Sequence, residues 1–248
     1  NYSASTSLYT SPTLLSVGEN NVLIFSSLRF QIHHRIHQEM AMLLFLFVLL
    51  AYILTSNGQG QSSQFNEWTY NNYPSPFNNP EACRRLEPSF ICDPNEILLS
   101  RQADQVNIVL KKIFNDTDVP CYDDTGIKKS GYVVMIALMN KINRTFSSSY
   151  TDNTRAIHTE AAWFSYYVGE TWHRDICDEN VVILYSKEDG VLYTSTQSLA
   201  RKKLSDDKVA LVNLRNGHYF RSKNRDKILR GLLKVAEAYK GVLEGSNV

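Results

Sequence analysis

Beyond about residue 90, apolar positions alternate between blocks of helical period and blocks that are continuously apolar. Ala103, Val106, Leu110 and Ile113 recur at helical spacing, with Val109 and Phe114 widening the stripe. Asp93-Pro94, with Glu96 in the first turn, reads as the start of this helix, and Ser100 offers a second cap. Tyr132 to Met139 is an unbroken apolar run whose length and valines suit a strand buried on both faces. Ile157, Ala161, Phe164, Val168 and Trp172 mark one face of a helix over 155–172. Val181 to Tyr185 is a second buried strand. Lys187-Glu188-Asp189-Gly190 then predicts a hairpin turn into a strand from Val191 to Ser195. A short basic helix is predicted over 198–204, and Val209 to Leu214 reads as a short strand or extended piece. A long amphipathic helix over about 225–243 carries Ile228, Leu232, Val235, Tyr239 and Val242.

Helices alternating with apolar strands predict a mixed sheet covered on both faces, a single three-layer α/β/α domain from 83 to 243. Residues 61–82 are polar and proline-rich and read as an N-terminal arm, whose aromatics Trp68, Tyr70, Tyr73 and Phe77 argue against pure disorder.

Composition adds a compartment. An apolar stretch from Leu43 to Leu54 follows the first methionine, Met40, and precedes small residues at Ser56, Gly58 and Gly60. It predicts a signal peptide over 40–60, cut near Gly58 or Gly60. Residues 1–39 open on Asn and carry no coherent period, and they read as translated upstream sequence rather than native protein. All four cysteines, Cys83, Cys92, Cys121 and Cys177, fall after the cleavage point. An even number in a secreted chain predicts two disulfides, with three pairings open. No CxxC pair supports a zinc reading. Asn115-Asp116-Thr117 and Asn143-Arg144-Thr145 are candidate glycosylation sites, one just past the first helix and one just past a strand. The net charge of +1 gives no electrostatic case for nucleic acid.

No hydrolase, phosphate-loop, metalloprotease or dinucleotide signature occurs. Asp116-Thr117-Asp118 resembles paired phosphoryl-transfer aspartates but follows a helix rather than a buried strand. With Asp123 and Asp124 it reads as a solvated acidic loop, with calcium binding as the minor alternative. Trp163 and Trp172 are expected in the core. Arg201-Lys202-Lys203 reads as a solvated helix face, and Tyr219-Phe220 as a lid on the core. No catalytic residue, metal site, cofactor or small-molecule substrate is expected.

From Trp68, Tyr73-Pro74 and Cys83 through Pro88-Ser89-Phe90-Ile91-Cys92-Asp93-Pro94, Ile97-Leu98 and Ser100, the chain resembles the modulator of levamisole receptor family of extracellular proteins. This family lies within the wider TPM-domain superfamily. Later matching pieces are Ala137-Leu138-Met139, Trp172, Cys177, Asn180 to Ile183, Ser186, Val191 to Tyr193, Tyr219-Phe220 and Gly231-Leu232. The resemblance implies a compact α/β/α domain outside the cell, acting as an auxiliary partner that promotes gating of ligand-gated ion channels such as acetylcholine-gated channels of nematode muscle. Such a partner need only bind the responsive receptor state more tightly than the closed one. The founding member carries a membrane helix after the domain. No such helix occurs before Val248, so a truncated record and a secreted form both stay open. The superfamily also implies two alternatives. One is a secreted module with a different partner. The other is a metal-dependent phosphatase, whose acids here would be Asp93, Asp116, Asp118 and Asp178 and would have to meet at one end of the sheet.

Overall fold

A computed structural model of the chain describes residues 40, 42–49, 66–122, 125–127, 131–145, 153–172 and 177–246. Contacts divide the chain into two units, 1–62 and 63–248. In the first unit Met40 and residues 42–49 are helical, with their apolar side chains exposed. Residues 1–39, the expected cleavage point and the pair Asp123 and Asp124 lie outside the described residues.

The second unit contains, in order, β1 (Glu67–Trp68), a 3-10 turn (Glu81–Cys83), β2 (Ile91–Cys92), α1 (Ser100–Asp116), β3 (Val133–Met139), β4 (Lys141–Ile142), α2 (Asn153–Trp172), β5 (Asn180–Ser186), β6 (Val191–Thr196), α3 (Ser198–Arg201), α4 (Asp206–Asn216), α5 (His218–Arg221) and α6 (Arg225–Leu243). The main sheet has the order β2-β3-β5-β6; the first three strands are parallel and β6 closes antiparallel. Every residue of β3 and β5 is buried, as a strand covered on both faces requires. Each fully buried Ile, Leu or Met contributes roughly 1.5–3 kcal/mol.

Strand alternation assigns the layers. Gly169 of α2 lies against the Val182 side chain, so α2 covers the Val182 and Leu184 face. Tyr185 donates to the Phe220 carbonyl of α5, and Tyr239 of α6 bonds Thr194, which pairs with Ile183. Helices α5 and α6 therefore cover the opposite face, with α1 packed beside α6. The fold is the expected three-layer α/β/α sandwich with a mixed sheet and two disulfides.

Four local expectations change. Glu96 has a φ of 54°, which no right-handed helix accepts, so Asp93-Pro94 opens a turn and α1 starts only at Ser100. Ser100 is then the first helical residue rather than a cap, and Gln102 reaches back to accept from the Leu99 N–H. Val209 to Leu214 lies within α4, where Val209 and Val212 are buried at i and i+3. Trp68 and Tyr73 of the expected arm are core residues, and β1 pairs parallel with β4.

Candidate functional site

The carboxyl ends of β2, β3 and β5 face one edge of the sheet, the edge where open α/β folds place their sites. The chain leaving β2 turns there through residues 93–99. The Cys83–Cys92 disulfide anchors its start. The Asp93 carboxylate accepts from the N–H groups of Ile97 (2.9 Å) and Leu98 (2.7 Å). From α6, Arg225 donates to the carbonyls of Ile97 (3.0 Å) and Glu96 (3.1 Å). Asn95 Oδ1 accepts from the Trp68 indole at 2.7 Å and from Asn140 N at 3.0 Å, tying the loop to the end of β3. The Tyr73 hydroxyl lies 2.8 Å from the Leu138 carbonyl and 3.1 Å from that of Cys92.

Burial pushes the Asp93 carboxyl up to about 6, against the two N–H donors and Arg84, which pull it down. Burial, with Asp93 nearby, also raises the Tyr73 phenol well above its ordinary value. A shallow cleft of about 220 Å³ beside the loop is lined by Arg84, Arg85, Asp93, Glu96 and Ser100. Its charges are largely taken up internally. Arg84 pairs with Glu96 at 3.1 Å and Arg85 with Asp104. The Arg85 side chain is only 9% exposed, and its Nε has no acceptor. The loop is a braced platform of satisfied groups, suited to presenting a fixed surface.

The other expected residues are dispersed. Cys121 bonds Cys177 at the amino end of the sheet, across from Cys83–Cys92. Asn115 is exposed in the last turn of α1 rather than beyond it, and Asn143 is exposed just after β4. Of the four acids a phosphatase would need, only Asp93 is at the carboxyl end. Asp116 ends α1 and pairs with Lys240, Asp118 follows α1, and Asp178 precedes β5 and accepts from Ser198. Among the described residues, the group with metal-ligand spacing is Cys121, Cys177 and Glu179, and its two sulfurs are bonded to each other. Phe220 is buried beneath Tyr185, in a short helix. Trp172 is in the core, but Trp163 is 44% exposed and stacks on Tyr167, contrary to expectation. It lies one position before Phe164, and that step of 100° takes it off the buried stripe. Sequence reasoning also passed over Arg85, Asn95 and Arg225, whose partners are set by tertiary contact; no local spacing marks them.

Residues 68–190 match a family described as modulator of levamisole receptor-1. Over that stretch the chain belongs to this family. The modulator match opens at Trp68 and closes at Gly190 in the β5–β6 turn, so it takes in the braced loop, α1, α2 and all three parallel strands. No curated protein matches the chain. Among solved structures, the solution NMR structure of the N-terminal domain of a P. gingivalis protein aligns at 13% identity and a TM-score of 0.48, covering 73% of this chain and 98% of that one.

Proposed function

We propose that this chain is an extracellular auxiliary protein that promotes gating of a cys-loop ligand-gated channel such as a levamisole-type acetylcholine receptor. The observation that carries the reading is the modulator-family match over residues 68–190, from Trp68 through β5. The two disulfides suit an oxidising, extracellular compartment. The braced loop suits a protein that works by contact, since a modulator acts through its difference in affinity for two receptor states. The exposed Asn115 and Asn143 are proposed glycan acceptors.

Co-expression with an acetylcholine-gated channel tests the reading, using the chain alone and the chain fused to a membrane anchor. A larger agonist-evoked current with either form is expected. Unchanged currents on several receptors, with the chain demonstrably exported, would transfer the protein to a different extracellular partner.

A further inference from the structure

Helices α1 and α6 lie side by side and run in the same direction. Gln102 donates to Asp226 at 2.9 Å near their starts, and Lys240 meets Asp116 at 3.1 Å near their ends. This register fixes which residues share the outer surface. Arg101, Gln105, Ile108 and Lys112 form the exposed stripe of α1, at i, i+4, i+7 and i+11. Lys227, Arg230 and Lys234 of α6 are exposed beside it.

The acids of this layer are engaged inside the chain: Asp104 with Arg85, Asp116 with Lys240, and Asp226 with Gln102. The cations Arg101, Lys112, Lys227, Arg230 and Lys234 have no carboxylate partner among the described residues. The exposed acids of α6 among them are Asp226 and Glu237. Exposed helices ordinarily gain about 0.2–0.5 kcal/mol from each i,i+4 acid–base pair, and among the described residues none of these five cations forms one; the i,i+4 pair here is Lys240 with Glu244, at the end of α6. The whole chain carries only +1, so the excess here is offset by acids elsewhere in the sequence. Ile108, 54% exposed, stands near the centre of the stripe. No aromatic or leucine accompanies it on that stripe, as an interfacial helix embedded in lipid would require, so the face fits an acidic protein rather than a bilayer.

We infer that the α1–α6 face docks onto an acidic extracellular surface of the receptor. This rests on the modulator reading and assigns it a contact surface.

The test measures binding of the full chain to an immobilised acetylcholine-receptor extracellular domain at low and high salt. The variants are Arg101→Glu/Arg230→Glu/Lys234→Glu and a control, Lys202→Glu/Lys203→Glu, which reverses exposed cations elsewhere. The face predicts salt-sensitive binding of the native chain, a loss of about tenfold or more in the triple variant, and little change in the control. Should the triple variant fold poorly, Lys112→Gln/Lys234→Gln removes charge more gently and should weaken binding in the same direction. Native binding that the face variants leave intact overturns the surface alone. A native chain that does not bind the receptor domain overturns the receptor reading and this contact with it. A native chain that binds phosphatidylserine vesicles but not the receptor domain gives the face to lipid and also overturns the proposal.

Discussion

The two ends of the sheet are each closed by a disulfide, but the bonds have different surroundings. Cys83–Cys92 spans a sequence separation of 9 within a segment also held by Asp93, Asn95, Tyr73 and Arg225. Cys121–Cys177 spans 56 and joins the segment after α1 to the approach of β5. The carboxyl end therefore adds to a short disulfide loop side-chain bonds from distant segments, Arg225 among them, whereas the amino end adds to its long disulfide loop bonds nearer in sequence, such as Tyr132 N–H to Thr117 and Ser198 to Asp178. In the chain-entropy account a cross-link gains with the loop it closes, so the second bond should contribute more. A surface can be kept rigid by redundancy at one end while stability is supplied at the other.

Removing the long tie should have the largest effect. Cys121→Ala/Cys177→Ala is expected to cost about 4 kcal/mol and to depress export, read by denaturant unfolding and secreted yield. A cost no greater than that of the short disulfide would break the comparison.

Next comes the titration of Asp93. Its folded value of about 6 lies above the ordinary 3.8, so the folded state holds the proton more tightly than the unfolded one. Its contribution is therefore fully present below about pH 4 and is lost as pH rises through 6. It amounts to something on the order of 3 kcal/mol. The stability difference between the native chain and Asp93→Asn should shift in the native chain's favour from pH 7 to pH 4; an equal difference at both would show an unperturbed carboxyl.

Cys83→Ala/Cys92→Ala should cost about 2.6 kcal/mol by the same entropy relation, with the fold retained by the surrounding bonds. Near-native amide protection at Ile97 and Leu98 in that variant would sharpen the claim of redundancy, and its loss would defeat it. The smallest effect belongs to Arg84→Ala, whose partner Glu96 is half-exposed. A double-mutant cycle should return at most about 1 kcal/mol for that pair.

The layers were legible because burial imposes a period. Tyr132 to Met139 and Val181 to Tyr185 could be read as strands from unbroken apolarity, and α6 from its stripe. Two-residue strands such as β1 and β4 have no period to read. Val209 to Leu214 misled because its apolar density outweighed Ser205-Asp206-Asp207, a reasonable helix opening. At the braced loop the importance of Asp93 was visible, but its role was misassigned. A carboxylate followed by proline serves a turn as readily as a helix, and Glu96's backbone, which decides between them, leaves no trace in the hydrophobic pattern. The charged face was visible only in part, since α1 and α6 are distant in sequence and only their register makes one surface of them.

That same parallel pairing imposes an order on the birth of the molecule. The bond from Gln102 to Asp226 joins residues 124 apart. At roughly 5–20 residues per second, a ribosome needs about 6–25 s to deliver the second after the first. Tyr185 precedes Phe220 by 35 residues and Thr194 precedes Tyr239 by 45, so for about 2–9 s after β5 and β6 are made the sheet face lacks the cover of α5 and α6. Completion of α6 is thus the step that closes this face of the sheet.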